Sequence, residues 1–379
     1  MLTGSKVWLR QITEAPITSC AVPPDNCTTA VRLPDGTAQD VVGILAKMKH
    51  LIRKTYCALV PEFLRIAVHE FIHKDKKVRL GDENPDKHFI AIRCFDRHMG
   101  MGAIILLTIK NLMYAKEMGY IPVVDLLNAE SQYHDKTAFG KDNAWEYYFE
   151  QPCANNYQNI SKSKNVVITT AGNGSSINFF KSRNFMLKLA YFEKDPDGIV
   201  TECKKYYRQY IKFNKEVKKR LDGDYEKILK DKGKILGVIG RGAEFALKKP
   251  KNHRVAPPPA VLLKKVKDVF VQEGFHYVFL ATEDCDIYQL FKNEFKDRLL
   301  DIGQKRVSSA DVEKHSWLAD VNFGYGEREK YKLGLDYLSS LYLLSKCNGI
   351  CGSVTCGAIV AYIMSDGYQY EYFFDLGIY

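Results

Sequence analysis

The 379-residue chain contains no apolar run approaching the roughly 18 residues that a membrane-spanning helix needs. Its densest stretches, such as AIILLTI at 103–109, are far shorter. None of its ten cysteines forms a Cys-x-x-Cys pair, the short spacing a structural zinc site wants. The N-terminal residues lack the apolar core of a secretory signal, so reduced thiols in a cytosolic setting are expected. Glycosylation triplets at Asn26, Asn159 and Asn173 then carry little meaning. No internal repeat or low-complexity tract is visible. A chain-wide excess of one charge is missing too. Lys+Arg number 55 and Asp+Glu 45, a net +10, but residues 1–230 hold 35 basic and 26 acidic residues (+9) and residues 231–379 hold 20 and 19 (+1). The basic excess therefore belongs to the N-terminal part. That argues for an anionic partner or surface there and against nucleic acid as a partner.

Hydrophobic residues make up 46%, enough to bury a core, and at about 150 residues per domain the length suggests two domains. Residues 1–40 are rich in turn formers, and helical patterns follow at about 41–56 and 60–73. In the second, Val60, Phe63, Leu64, Ala67, Val68, Phe71 and Ile72 make a core-facing stripe. A strand at about 89–94, a glycine-containing turn at 99–102, a helix at about 103–118 and a strand at 121–127 form a β–turn–α–β unit. That order argues for a parallel sheet. Residues 140–198 read as mixed loops and short elements, with a turn at Gly172–Gly174, and a long basic helix is expected over 199–221. Beyond a boundary near 225–232 the pattern alternates. Strands are expected at 234–240 and 276–282, and helices at 259–273, 286–295 and 330–346. NGICG (348–352) leads into a short helix at 358–364. This is the pattern of a doubly wound α/β domain.

Four signals bear on chemistry. His69-Glu70-Phe71-Ile72-His73 matches the HExxH pattern, in which two histidines one helical turn apart bind zinc beside a general-base glutamate. Both histidines share the polar face with Glu62 and Arg65, so a solvated helix face is the default and a zinc peptidase ranks third. GVIGRG at 237–242 comes directly after a strand, but no helix starts there to meet a pyrophosphate, and Pro250 and Pro257–Pro259 interrupt the chain beyond it. Arg241 at the strand tip suits a phosphate instead. Asp284-Cys285-Asp286 is a DxD that could hold a divalent metal or could serve a helix N-terminus. Cys347, Cys351 and Cys356 read as buried small apolar residues.

The order of these elements resembles the fucosyltransferase superfamily, which includes the nodulation fucosyltransferase, the core α1,6-fucosyltransferase and bacterial polysaccharide-locus relatives. The resemblance covers roughly residues 85–379. It rests on HMGMG (98–102) before AIILLTIKNLMYAKEMGYIPVVDL, on GVIGRGAEF…KPKNH, on FLATEDCDIY and on YLSSLYLLSKCNGICGSVTCG. It implies an α/β GT-B fold, two Rossmann-like doubly wound domains facing across a cleft. Residues 1–84 would be an arm and helices on the first domain, 85–230 the acceptor-side domain and 231–379 the nucleotide-sugar domain. It places Arg241 on the donor β-phosphate and His253 near the donor. Glu283 and Asp284 would be the acidic pair that reads guanine or ribose. Ser353 and Thr355 would touch the pyrophosphate, and Gly100 and Gly102 would let backbone approach the donor. No metal or other cofactor is expected.

The implied activity is inverting transfer of fucose from GDP-fucose to a glycan hydroxyl, in a bacterial surface polysaccharide or a similar acceptor. Arg241 and a cleft carboxylate would carry the reaction, with Glu244 the motif carboxylate and Asp125 another candidate base. Ile239 stands where many members have histidine. Arg241-Gly242 replaces an Arg-Arg of some members, and Ala243-Glu244 replaces Thr-Asp. These departures leave GDP-mannose as an alternative donor and a non-catalytic nucleotide-sugar or glycan-binding protein as the alternative function. A cytoplasmic location is expected, with a glycan or lipid-linked acceptor. A peripheral anionic contact at the inner membrane face would run along the 199–221 helix.

Overall fold

The computed structural model describes residues 75–94, 96–135, 137–169, 191–242, 249, 254–315 and 318–379, all within one compact unit, Asp75–Tyr379. The helical patterns at 41–56 and 60–73, the His69–His73 motif, the turn at 172–174, Glu244 and His253 lie outside the described residues.

The first half is built on a sheet of order β1-β4-β2-β3, with β1 Lys76–Val78, β2 Glu83–Ile92, β3 Ile121–Val124 and β4 Ser163–Ile168. β2 is central and runs parallel to both β3 and β4, while β1 adds an antiparallel edge. A central parallel strand is buried on both faces, which is why 89–92 is an unbroken apolar run. Phe89 and Ala91 point into one cluster with Val123 and Val166, and Ile90 and Ile92 into the main core. β3 is an edge strand, yet side-chain amides occupy its open groups. Gln151 accepts from the Val124 N–H (2.9 Å) and donates to the Val124 carbonyl (2.9 Å), and Asn143 donates to that carbonyl as well (2.8 Å). Such cover stops the edge from pairing with another chain.

Helix α1, Met101–Met118, follows β2 and is buried along nearly its whole length. It ends on Gly119, whose φ of 67° is the left-handed conformation glycine adopts without strain. The expected helix and strand of this unit are thus present, the helix starting two residues earlier than the pattern suggested. α2, Tyr157–Ile160, is a single turn closed by a reciprocal Asn156/Asn159 cap.

The expected basic helix at 199–221 is corrected. It is two helices, α3 Ile199–Tyr210 and α4 Lys215–Ile228, so Gly223 lies inside a helix and does not end one. The break has a local cause. Ile211 turns extended (φ −100°, ψ 104°), Phe213 bridges to Phe149, and Asn214 caps the next helix by accepting from the Val217 N–H at 2.9 Å.

The second half carries a sheet of order β7-β6-β5-β8-β9: β5 Ile235–Ile239, β6 Tyr277–Ala281, β7 Leu299–Leu300, β8 Gly349–Gly352 and β9 Tyr370–Phe373. Every neighbouring pair is parallel. Numbered within this half, the order is 3-2-1-4-5, the doubly wound arrangement, with the direction of winding reversing between β5 and β8. The helices are α5 Pro259–Gln272, α6 Cys285–Phe295, α7 Ser309–Lys314, α8 Glu329–Leu344 and α9 Cys356–Met364. Proline at the first position of α5 marks a start that the sequence signals plainly, whereas α9 begins two residues earlier than expected because Thr355 caps it. The α/β class, with two largely parallel sheets, is as expected.

One core runs through both halves. Residues of α1, α3, α8 and α9 belong to a single buried cluster that includes strand residues from both sheets. α9 packs on both α1 and α3, and α8 on α4. Tyr148 strengthens this join: its hydroxyl donates to the Lys330 and Tyr331 carbonyls, and its ring stacks on Tyr331 at 5.5 Å.

Candidate functional site

In an open parallel sheet, ligands bind outside the carboxyl ends of the strands where the winding reverses, because two loops leave in opposite directions and open a crevice. Here that crevice lies between β5 and β8. β5 runs out into Gly240, Arg241 and Gly242, and β8 into Ser353, Val354 and Thr355. β6, next to β5, delivers Thr282, Glu283 and Asp284 to the same edge. Five of the anticipated residues, Arg241, Glu283, Asp284, Ser353 and Thr355, therefore stand on the carboxyl edge of one sheet. A β-carbon on Gly242 would meet Glu283 Oε1 at 3.3 Å and Asp284 Cβ at 3.4 Å, so the Arg241 loop and the acidic loop lie against each other.

The acidic pair divides its work. Asp284 is buried and caps α6: its Oδ1 accepts from the backbone N–H groups of Asp286 (2.9 Å) and Ile287 (3.0 Å). The DxD signal is thus used to start a helix, and among the described residues no group of three His, Cys, Asp or Glu is placed to hold a metal. Both acids lie against Gly242, Glu283 through Oε1 and Asp284 through Cβ and Oδ2.

Thr355 is likewise an N-cap, its Oγ1 accepting from the Ala358 N–H at 2.9 Å. Ser353 differs. The residue is 3% exposed and its hydroxyl has no hydrogen-bond partner among the described residues, although a buried hydroxyl left unpaired costs about 1–3 kcal/mol.

The first half reaches the same place through α1. Gly100, the N-cap of α1, offers no side chain, and the Met101 N–H instead donates to the Tyr133 hydroxyl at 2.7 Å. One residue on, a β-carbon on Gly102 would lie 2.8 Å from the Gly357 nitrogen and 2.9 Å from the Cys356 carbonyl carbon. Gly102 thus lets the N-terminus of α1 press against the N-terminus of α9. Neither first turn carries an acidic residue. Two positive helix ends in contact repel one another, and an anion between them would relieve that repulsion. Gly100 has open space at its Cα, with its nearest neighbour Gln132 Nε2 at 4.0 Å.

Tyr133, Tyr337 and Cys356 complete the junction, and sequence reasoning did not single out the two tyrosines. Burial pushes the Tyr337 phenol well above its usual value, with Tyr133, Cys356 and Glu283 adding to the rise and Arg241 opposing it. Burial also raises Cys356, again against Arg241. These mutual effects place Arg241, Glu283, Cys356 and Tyr337 in one neighbourhood. The only sequence signal for Tyr337 was its place in a helix leading to β8, a position that usually means core.

Other anticipated features have different roles. Asp125 is fully buried, and its carboxylate is committed to Arg93 Nε (2.7 Å) and to the Asn128 backbone and side-chain nitrogens. It holds the turn after β3 and has no exposed oxygen to offer an acceptor. The seven described cysteines are free thiols, and Cys347 and Cys351 are core residues as expected. On α3 and α4 much of the basic charge is answered locally, by Arg208–Asp366 (2.8 Å), Lys218–Asp222 (2.5 Å), Arg220–Asp224 (2.8 Å) and Lys230–Glu226 (2.5 Å). No described helix is long and apolar enough to cross a membrane.

Fold and site together define a two-sheet α/β protein whose crevice suits an anionic ligand. No family model and no curated protein matches the chain. Among solved structures it is similar to the NodZ α-1,6-fucosyltransferase soaked with GDP-fucose, with 16% identity, 74% of this chain and 93% of that one covered, and a TM-score of 0.43. It is also similar to an Arabidopsis thaliana FUT1 mutant in complex with GDP (11% identity, 87% and 78% covered, TM-score 0.43). POFUT1 in complex with GDP is a third (12% identity, 76% and 99% covered, TM-score 0.42).

Proposed function

We propose that the protein is a metal-independent inverting glycosyltransferase of GT-B type that takes GDP-fucose as donor and a glycan hydroxyl as acceptor. The observation that carries this reading is the grouping of Arg241, Glu283, Ser353 and Thr355 on the carboxyl edge of the 3-2-1-4-5 sheet, against the two touching helix N-termini. A diphosphate fits such a place. Arg241 supplies charge, the helix ends supply partial charge, and the unpaired Ser353 hydroxyl gains a partner when a phosphate oxygen arrives.

In the proposed reaction the acceptor hydroxyl attacks the anomeric carbon as the bond to the diphosphate breaks. Negative charge grows on the leaving GDP, where Arg241 stabilises it, so no metal is required. A carboxylate takes the acceptor proton; Glu244 is the candidate, since Asp125 is committed to Arg93. Glu283 would meet the ribose or guanine. The basic first half would face a glycan or lipid-linked acceptor, with a cytoplasmic site at an anionic membrane surface.

Calorimetry with GDP, GDP-fucose, GDP-mannose and UDP, with and without EDTA, tests this. GDP should bind in EDTA, and Arg241→Ala should weaken it about tenfold to a hundredfold, the value of a charge-assisted hydrogen bond. Absence of GDP binding sinks the reading. Donor binding with neither hydrolysis nor transfer to any acceptor makes the chain a nucleotide-sugar-binding protein without catalysis.

A further inference from the structure

The junction between α1 and α9 holds a hydroxyl that the donor reading does not use. A β-carbon built on Gly357 would lie 2.6 Å from the Tyr337 hydroxyl oxygen and 3.5 Å from Thr355 Oγ1. Tyr337 therefore reaches from α8 across the second residue of α9, beside the cap that starts that helix. Gly357 N is also 2.8 Å from where Gly102 would carry its β-carbon. Glycines at 102 and 357 make room for three groups at one point: the end of α1, the end of α9 and the phenol. Arg241, Glu283, Cys356 and Tyr133 lie near enough to that phenol to act on its charge.

We propose that Tyr337 is a specificity-determining residue of this site, donating its hydroxyl proton in a hydrogen bond to a diphosphate oxygen of the bound nucleotide. The proposal rests on the donor reading above. Its physical basis is geometric: the hydroxyl of half-buried Tyr337 stands at the first turn of α9, against Gly357 and the Thr355 cap, and a phenol is an uncharged hydrogen-bond donor. A neutral donor suits a site already crowded with positive charge. It recognises the phosphate oxygen without adding positive charge to the two touching helix ends. The buried Ser353 hydroxyl after β8, without a hydrogen-bond partner among the described residues, is a second and independent polar group at this edge that a phosphate oxygen would pair.

The experiment uses the full chain and three probes: GDP, inorganic pyrophosphate and guanosine. Tyr337→Phe keeps the ring and removes only the oxygen, so its melting temperature should stay near that of wild type. GDP and pyrophosphate should each bind about tenfold more weakly, as expected for one hydrogen bond to a charged oxygen. Guanosine binding should be unchanged. Gly357→Ala should weaken GDP in the wild-type background by displacing the hydroxyl, and should add little in the Tyr337→Phe background, where that oxygen is gone. Unchanged GDP affinity in Tyr337→Phe overturns the assignment, as does an equal loss for guanosine. Wild type that binds neither GDP nor pyrophosphate overturns the donor reading itself, a result distinct from either.

Discussion

Gly102 and Gly100 lie two residues apart and should respond differently to alanine. At Gly102 the new β-carbon would sit 2.8, 2.9 and 3.1 Å from backbone atoms of Gly357 and Cys356. Ordinary contact begins near 3.4 Å, so α1 and α9 must separate by about 0.6 Å, and neither contact belongs to a flexible side-chain end. Overpacking of this kind costs about 1–3 kcal/mol. Alanine's better helix propensity returns about 0.5–1 kcal/mol. The net loss is about 1–2 kcal/mol, which for a unit of this size lowers the melting temperature by roughly 2–3 °C. The same shift moves the Gly357 N–H and the Tyr337 hydroxyl away from any bound anion, so GDP affinity should fall about tenfold, as if one charge-assisted hydrogen bond were lost. Gly100→Ala meets nothing closer than 4.0 Å, and φ −68° with ψ 156° suits alanine. It should leave GDP binding intact and lower stability by about 0.5–1 kcal/mol, the difference between glycine and alanine at an N-cap. Scanning calorimetry and GDP titration of both variants decide the matter. If Gly102→Ala matches Gly100→Ala in both measurements, the two helix ends do not touch and the anion site between them falls.

Ser353→Ala removes a buried hydroxyl that lacks a partner, so stability should hold or rise by about 1 kcal/mol while GDP affinity drops; a destabilised variant would mean the hydroxyl is paired within the fold. The buried thiols predict alkaline sensitivity. Burial raises Cys94, Cys203 and Cys351 to about 12, whereas an unfolded thiol titrates near about 8.5. Their contribution is complete below the unfolded value and is lost as pH climbs through the folded values, so stability should decline steadily from about pH 8.5 upward. Buried Lys110, lowered to about 8, acts in the opposite direction between pH 8 and 10, as one group against three. Urea melts under reducing conditions at pH 7.5, 9 and 10 would show it, and a flat profile would contradict the burial of these thiols.

Much of the second half was legible from residue order. β5, β6, α5 and α6 were read to within a residue or two because buried parallel strands are short apolar runs and their helices begin at marked positions, Pro259 in α5 and Asp284 before α6. β4 was not read, since SKNVVI alternates too little and carries polar residues at its start. β9, YEYF, was missed for a similar reason. The 199–221 pattern ran two helices together. Its apolar spacing continues through Ile211 and Phe213, and only the pairing of Phe213 with Phe149, 64 positions earlier, shows that the chain is extended there.

At the candidate site the division is sharper. The chain by itself determined which residue types sit after each strand: a lone arginine after β5, two acids after β6, a serine and a threonine after β8. Local spacing sets these, because a strand followed by a turn must deliver its next residues to the carboxyl edge. Only the tertiary structure decided that β5 and β8 are neighbours although more than a hundred positions separate them. It decided too that Asp125 is locked to Arg93, and that Tyr337 and Gly102 meet at Gly357. Those outcomes come from contacts between distant segments competing for the same hydrogen bonds and the same volume, and no local pattern records which segment will arrive.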